Sequence, residues 1–167
     1  MMRRAVRGQS ELRRSSAEAR GLTPAGESYF RFRLGNSKGI EPARLRSLFR
    51  AAGWTEDIAR YSAPQIRKLL RQSHTVLTAW DGKNLVGLAS AVSDGVLSGM
   101  VQNLVVHPRY RRRGLGARLL RELARVMSAQ RIGSIYVLGT PGGRARAFFN
   151  RAGFRPLRWG VYVRLNR

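Results

Sequence analysis

A short basic loop with two glycines constrains this chain more than any other feature. An apolar stretch ends at Val106, Pro108 follows, and three consecutive arginines precede Gly114 and Gly116. Proline cannot donate a hydrogen bond to a sheet, so the strand predicted at 96–106 should stop before Pro108. From 114 to 130 leucines recur at helical spacing and predict a long amphipathic helix. The chain therefore passes from strand to helix across a cationic loop.

Such a loop is suited to binding phosphate groups. The first backbone N–H groups of a helix have no intrahelical partner, and the helix dipole adds about half a positive charge at that end. Gly114 and Gly116 would let a pyrophosphate approach the backbone closely. A dinucleotide-binding fingerprint needs a third glycine where this chain has Leu119. A P-loop needs Gly-Lys-Ser/Thr, which the chain lacks.

Hydrophobic periodicity predicts the other elements. Strands are predicted at 28–34, 74–80, 84–92, 133–138 and within 154–165, and helices at 42–52, 63–72 and 144–152. In the second helix we expect Ile66, Leu69 and Leu70 to face inward. The element order predicts a single α/β (α+β) domain over residues 25–167, preceded by a basic flexible tail over 1–24.

Two segments carry a resemblance to a known family. The run Arg111-Arg112-Arg113-Gly114-Leu115-Gly116 resembles motif A of the GNAT superfamily of N-acetyltransferases. Residues 147–154, Ala-Phe-Phe-Asn-Arg-Ala-Gly-Phe, resemble the closing segment of that family. The resemblance covers roughly residues 40–165. It implies a mixed, mostly antiparallel sheet flanked by helices, with splayed central strands, and acetyl-CoA as co-substrate. Residues 48–54, Ser73, Val86-Gly87 and 93–95 resemble, more faintly, the plastid and cyanobacterial arylalkylamine (serotonin-type) branch.

The resemblance also implies roles for individual residues. The backbone N–H of Val106 would hydrogen-bond the thioester carbonyl and stabilise the charge that develops there. The N–H groups from Arg112 to Ala117 would hold the pyrophosphate, and Arg144, Arg146 or Arg151 could meet the 3′-phosphate. The residues expected at the acetyl-CoA site are Leu104, Val105, Val106, Arg111, Arg112, Arg113, Gly114, Leu115, Gly116, Ala117, Phe148, Phe149 and Arg151.

The chain departs from the family pattern where proton transfer is usually placed. Phe149 stands where the family usually has a proton-donating Tyr, and Asn103 stands where it often has a carboxylate. The family's frequent Asn falls on Gly142. Tyr162 and Asp94 are the substitute candidates. Tyr162 could equally be a half-buried strand aromatic, and Asp94 a turn former.

The charge of the chain leaves three functions open. The chain carries 32 basic and 9 acidic residues, a net charge of +23, with the cations densest in the last third. Such a charge attracts anions and repels polycations, so polyamines are disfavoured as acceptors. One function is acetylation of a small primary amine by direct attack in a ternary complex. The alternatives are acetylation of protein N-termini near the ribosome, and nucleic-acid association with a vestigial acetyl-CoA site.

Composition sets further expectations. With no cysteine and two histidines, neither an acyl-cysteine intermediate nor a metal site is expected. No secretory signal or membrane span is recognisable, which predicts a cytoplasmic protein, or an organellar one if the tail is a transit peptide. The sequence leaves open whether the chain forms a homodimer. Trp54, Tyr61 and Trp159 are candidates for lining an acceptor pocket.

Overall fold

The computed structural model describes residues 30–35, 39–54, 60–138 and 143–156. The predicted tail and nearly all of the last predicted strand lie outside these ranges. In chain order the elements are β1 Arg31–Leu34, α1 Pro42–Ala51, α2 Ala63–Gln72, β2 Thr75–Asp81, β3 Asn84–Ser93, β4 Ser98–Val106, α3 Leu115–Ala129, β5 Ser134–Val137 and α4 Gly143–Arg151. A short 3₁₀ turn at Pro108–Tyr110, which the sequence analysis did not predict, lies between β4 and α3.

The five strands form one sheet in the order β1-β2-β3-β4-β5. The first three pairings are antiparallel and β4 pairs with β5 in parallel, so the predicted mixed, mostly antiparallel sheet is confirmed. Helices cover both faces. On one side, here the α1 face, α1 and α2 pack on β2 and β3; on the other, the α3 face, α3 packs across the centre. This confirms a single α/β layer architecture.

The start of α2 is encoded locally, whereas its buried face was only partly predicted. Ser62 and Gln65 form a reciprocal capping box, in which Oε1 of Gln65 accepts the N–H of Ser62 at 2.7 Å. Ile66 and Leu70 are buried as expected. The prediction for Leu69 was wrong, because its side chain is 37% exposed. Ile66 and Leu70 lie on the centre of the buried face, whereas Leu69 lies about 100° around the helix from Leu70, at the edge of that face.

The feature that shapes the site is the separation of β4 from β5. Their parallel pairing begins at Ser98 and Ser134 and ends at Val101 and Val137. β5 stops there, whereas β4 continues for five more residues to Val106 while still paired to β3. A β-bulge lies at this point, since Ala91 pairs with Val101 but the preceding Ser90 pairs with Asn103. The bulge bends β4 away from β5 and confirms the predicted splayed strands.

Helix α3 lies close to the sheet because two strand residues lack side chains. A Cβ placed on Gly87 would come within 2.8 Å of Cδ1 of Leu119 and 3.4 Å of the Cβ of Ala79. A Cβ on Gly99 would overlap the end of the Met127 side chain. Both helix residues are fully buried, so they cannot swing into solvent. The position of the helix, and of the loop before it, therefore depends on these glycines.

The length and hydropathy of the helices show whether any of them could span a membrane. Within the described ranges, no helix has both the length and the apolar character required to cross a bilayer.

We predict that Gly87→Val lowers the free energy of unfolding by about 1–3 kcal/mol, because its side chain must displace Leu119 in a packed core. Leu119→Ala alone should cost about 2–5 kcal/mol by leaving a cavity. In the double variant the valine occupies that cavity, so its loss should be smaller than the sum of the two single losses. Urea unfolding of the four proteins measures this, and additive losses would contradict the packing described.

Candidate functional site

An open cleft of 720 Å³ lies where β4 and β5 separate. Its walls come from the second half of β4, the end of β5, the start of α3, one side of α4 and the residues that follow α1. The lining residues are Ala52, Trp54, Val101, Gln102, Leu104, Val105, Val106, Arg111, Arg112, Gly114, Gly116, Ala117, Val137, Leu138, Phe148, Phe149 and Arg151. Most are apolar, while the arginines lie at the loop and α4, so the cleft suits an elongated molecule with an anionic end.

The backbone of β4 offers polar groups to this cleft. His107 N–H donates to Val86 C=O at 2.9 Å, so the backbone of His107 points toward β3. Neighbouring residues of a strand point their N–H and C=O groups to opposite sides. The N–H groups of Val106 and, two residues earlier, Leu104 therefore point away from β3, to the side that β5 has left. These are the two donors in β4 that a bound carbonyl could reach.

The start of α3 forms the end wall of the cleft. Gly114 is the N-cap, with φ of 76°, and no side chain caps the helix. Arg112 also has a positive φ, 61°, an uncommon conformation for a residue with a side chain. A Cβ on Gly116 would lie 3.4 Å from Phe148 and 3.5 Å from Val106, which is ordinary contact, but any larger side chain would enter the cleft. The uncapped helix start is thus open to an anion.

Arg111 joins two walls of the cleft through backbone carbonyls. Its Nε donates to Val106 C=O at 3.1 Å, and its Nη2 donates to Ala52 C=O at 3.1 Å. Ala52 caps the carboxyl end of α1, where unpaired carbonyls and the helix dipole favour a cation. The side chain therefore fixes the end of α1, and with it the position of Trp54, relative to the end of β4.

Tyr110 anchors the basic loop from outside the cleft. Its hydroxyl donates to Oδ2 of Asp81 at 2.7 Å, which links the 3₁₀ turn to the end of β2. This hydrogen bond raises the pKa of the Tyr110 phenol above its usual range, with a smaller contribution from burial. The ring makes edge contacts with Phe30 and His107, and the Arg113 guanidinium lies 6.0 Å from its centroid. The loop is therefore tied to the body of the sheet before α3 begins.

The structure brings most of the predicted acetyl-CoA residues to one cleft, with two exceptions. Leu115 points into the core and is 2% exposed, because it is the first residue of the buried stripe of α3. The Arg113 side chain lies against Tyr110 and does not line the cleft. Arg146 is exposed and also does not line it. The side chain of Arg144, and Gly142, lie outside what the structure describes.

Of the candidates for proton transfer and acceptor binding, some lie at the cleft, some lie away from it, and some lie outside the described residues. Tyr162 and Trp159 lie outside the described residues. Trp54 lines the cleft and makes an edge contact with Phe49. Tyr61 is exposed and away from the cleft, where its C=O accepts a hydrogen bond from Arg46. Asn103 donates from Nδ2 to Ser90 Oγ at 2.9 Å, which holds its amide against β3.

Asp94 closes the turn between β3 and β4. Its Oδ1 accepts backbone N–H groups from Val96, Leu97 and Ser98 at 2.8, 2.8 and 3.1 Å. These hydrogen bonds, led by that from Val96, lower the pKa of its carboxyl group. Asp94 precedes β4, at the opposite end of that strand from Val106, and does not line the cleft. The geometry supports the turn-forming role and argues against the proton-transfer role.

Sequence reasoning missed Gln102, which the bulge turns into the cleft. Val101 and Leu104 lie three residues apart, yet the side chains of both pack on the α3 face. A regular strand does not permit this, because its side chains alternate between the two faces. Two consecutive polar residues between them, Gln102 and Asn103, mark the irregular position. Leu138 and Val137 were also missed as lining residues, because nothing in the sequence shows where β5 leaves β4.

Comparison with known proteins agrees with this geometry. A sequence profile of the acetyltransferase (GNAT) family matches residues 43–154. The chain belongs to the GNAT acetyltransferase family. The enzyme class expected for it, an N-acetyltransferase, is thereby confirmed. Enzymes of this family generally use acetyl-CoA as co-substrate.

The individual relatives share low sequence identity with the chain. The chain is 24% identical over 125 residues to the uncharacterized N-acetyltransferase ycf52 of Porphyra purpurea, covering 72% of this chain and 68% of that protein. A GNAT-family acetyltransferase structure from Streptococcus pneumoniae superimposes with a TM-score of 0.67 at 22% identity, covering 83% and 98% of the two chains. An aminoglycoside acetyltransferase from a soil metagenomic sample gives 0.62 at 20% identity, covering 81% and 99%. At these identities the structures establish the fold alone.

We predict that Asp94 makes the stability of the fold depend on acidic pH. Because its pKa is lowered in the folded state, the carboxylate contributes stability above the unfolded pKa of about 3.9 and loses it as the pH falls through the folded value. Asp94→Asn keeps an acceptor oxygen but not the charge. Its deficit in unfolding free energy relative to the unmodified chain should be largest near about pH 6 and shrink toward about pH 3. A deficit independent of pH would contradict this role.

Proposed function

We propose that this protein transfers the acetyl group of acetyl-CoA to a primary amine of a small molecule, by direct attack of the amine in a ternary complex. The observation that supports this most is the continuity of the cleft. It runs from the split between β4 and β5, where the backbone of Leu104 and Val106 is exposed, to the uncapped start of α3. One molecule with an apolar arm and a pyrophosphate would use both ends.

The residues at the helix end fit the nucleotide portion. The N–H groups from Arg112 to Ala117 would hold the pyrophosphate, and Gly116 leaves the space in front of them free of a side chain. Arg111, Arg112 and Arg151 line the same region and supply cations for the phosphates. Phe148 and Phe149, in edge contact with each other, form an apolar wall for the pantetheine arm.

The backbone of β4 would then orient and activate the thioester. In this proposal the Val106 N–H donates a hydrogen bond to the thioester carbonyl, with the Leu104 N–H as the second donor on the same side of the strand. Such donors act because they are fixed before the reaction and do not have to reorganise. Arg111 restrains the strand end beside this donor, since it holds the carbonyl of Val106 in the next peptide unit.

The side-chain departures from the family pattern are compatible with this chemistry. The chain has no cysteine, which leaves direct transfer as the natural route. Phe149 cannot donate a proton to the departing sulfur. A thiol has an ordinary pKa of about 8.5, which is low enough for the CoA thiolate to leave without a dedicated acid. The amine then loses its proton to water.

The positive charge of the chain limits which amines can serve as acceptors. Among the described residues that line the cleft, the ionisable side chains are arginines. A cationic wall repels a polyamine and lowers the pKa of a nearby ammonium group, which favours amines that bind in neutral form. The described arginines and lysines lie on α1, α2, α3, α4 and β1 and on both faces of the sheet, whereas a nucleic-acid interface concentrates them along one surface.

We predict that acetyl-CoA binds the unmodified chain and Gly116→Ala but not Gly116→Trp in calorimetric titration. The alanine Cβ makes ordinary contacts with Phe148 and Val106, whereas an indole would fill the end of the cleft. The alanine variant is the matched control for loss of the glycine itself. Working near 0.15 M salt, where charges are screened beyond about 8 Å, suppresses nonspecific attraction.

The contrary outcome is equally clear. If all three proteins bind acetyl-CoA with equal affinity, and this affinity falls steeply and in parallel as salt increases, the ligand is held by the cationic surface and not by the cleft. The proposed function would then fail, and nucleic-acid association would become the better explanation of the charge.

A further inference from the structure

Hydrogen-bond donors and acceptors are unevenly distributed in the cleft. Of the side chains that the structure describes in its lining, the arginines and the indole of Trp54 can only donate hydrogen bonds. The other lining residues are apolar or glycine, with the exception of Gln102. The amide oxygen of Gln102 is therefore the one side-chain acceptor among the described lining residues.

Other acceptors near the cleft already have partners. The backbone carbonyls of Val106 and Ala52 each accept a hydrogen bond from Arg111, both at 3.1 Å. The adjacent amide of Asn103 donates to Ser90 Oγ at 2.9 Å and does not line the cleft. The side chain of Gln102, in contrast, has no hydrogen-bond partner among the described residues.

The β-bulge determines where this amide points. Val101 pairs with Ala91 and Asn103 pairs with Ser90, so Gln102 is the extra residue of β4 and has no partner on β3. Val101 packs under α3, and side chains alternate along a strand, so Gln102 is directed to the other side of the sheet. In the proposed function the donor lies against α3 and α4. Gln102 therefore borders the part of the cleft that the donor leaves free.

The position of Gln102 along β4 brings its amide close to the proposed reaction centre. It lies two residues before Leu104, whose N–H is one of the two donors proposed for the thioester carbonyl. Two residues of a strand span about 7 Å, and a glutamine side chain together with a hydrogen bond of about 3 Å bridges such a distance. One nitrogen atom could thus contact both the Gln102 amide and the thioester carbon.

The attacking amine is the group that needs an acceptor at this position. A neutral primary amine has two N–H bonds and one lone pair, and the lone pair must point at the thioester carbon for the reaction to occur. A side chain that only donates would bind the lone pair and block the attack. A side chain that accepts an N–H leaves the lone pair free and fixes its direction.

We infer that Gln102 orients the attacking amine, because its amide oxygen accepts an N–H of the neutral amine and directs the nitrogen lone pair at the thioester carbon. The inference rests on the proposed function and adds to it the residue that binds the reacting nitrogen. A neutral amide is not a base, so Gln102 positions the nitrogen but does not take its proton.

The bond changes balance without a further reactant. The nitrogen lone pair forms the C–N bond at the thioester carbon, and the C–S bond breaks with its electron pair on sulfur. The nitrogen then loses one proton to water. The products are the amide, the CoA thiolate and a hydrated proton.

The first variant, Gln102→Leu, removes the acceptor oxygen and keeps a side chain of similar bulk. We expect kcat/KM for the amine to fall about tenfold, because a hydrogen bond to the reacting nitrogen is lost. The probes are ethylamine, n-butylamine and cyclohexylmethylamine, and variants are compared on the one that the unmodified chain acetylates fastest. Calorimetry should show an unchanged affinity for acetyl-CoA.

The second variant, Gln102→Glu, gives a readout that a purely structural role would not change. The described titratable groups that line the cleft are Arg111, Arg112 and Arg151, which disfavour the charged form of a bound ammonium group. A carboxylate within hydrogen-bonding distance of the nitrogen favours that charged form instead. The pH at which kcat reaches half its maximum should therefore rise by about 1 pH unit or more.

The same two substitutions at Gln72 are the matched controls. Gln72 is exposed, ends α2 and does not line the cleft. Neither control should change kcat/KM or the pH profile. Because Gln102 is also exposed and pairs with no residue of β3, thermal unfolding should show all four variants folded.

Two results would overturn the inference while the proposed function stands. If the unmodified chain acetylates the amine and both Gln102 variants match it in kcat/KM and in pH profile, the amide does not contact the nitrogen. If Gln102→Leu weakens acetyl-CoA binding as much as it lowers kcat/KM, the amide contacts the donor instead. A different result, failure of the unmodified chain to bind acetyl-CoA, would show that the proposed function itself is wrong.

Discussion

The site depends on one interruption of backbone pairing, after Val101 and Val137. Up to that pair, β4 and β5 satisfy each other's hydrogen bonds; beyond it, β4 continues with β3 alone and presents the N–H groups of Leu104 and Val106 on its open side. A sheet cannot leave such groups unpaired in a dry interior, so the gap must hold water or a ligand. The bulge at Gln102 produces the bend, and the buried leucines of α3 pack the other strands against the helix. Binding capacity is therefore a consequence of topology before any side chain is considered.

Arginine plays two different parts around this gap. At the loop, Arg111 has a structural as well as an electrostatic role. Its hydrogen bonds connect the end of β4, at Val106, to the end of α1, at Ala52, which lies 59 positions earlier in the sequence. Arg113 contributes mainly through its position over Tyr110. Other arginines are surface charge. Arg125, for example, forms an exposed ion pair with Glu122, of a kind worth little in stability. Among the described residues the basic side chains are thus not gathered on one surface, and the arginines that border the cleft are few.

Most of the fold could be predicted from the sequence because its signals are local. The spacing of leucines in α3, the capping box at Ser62, and the proline that ends β4 each act within a few residues. The glycines of the loop were informative for the same reason, since Gly114 adopts the positive φ that a side chain disfavours.

The residues of the site were harder to predict from the sequence than the fold. Its lining includes Gln102, Val137 and Leu138, which the sequence did not identify and which border the cleft because β4 bends away from β5. The contact of Tyr110 with Asp81 joins residues 29 positions apart and has no sequence signature. Asp94 was a plausible base by residue type, but its three hydrogen bonds to the turn backbone are visible only in the folded structure.

A site built mainly from backbone groups also explains how the chain can do without the usual ionisable side chains. The hydrogen bonds proposed for the N–H groups of Leu104, Val106 and the start of α3 depend on the course of the backbone. They therefore do not require the family's usual Tyr at Phe149 or its carboxylate at Asn103. What the side chains then decide is which acceptor fits. Donor and acceptor must meet at one carbon within a gap between two strands, so each can occupy only one face of the sheet. In the proposed function α3 and α4 hold the donor, so the acceptor approaches the gap from the α1 face.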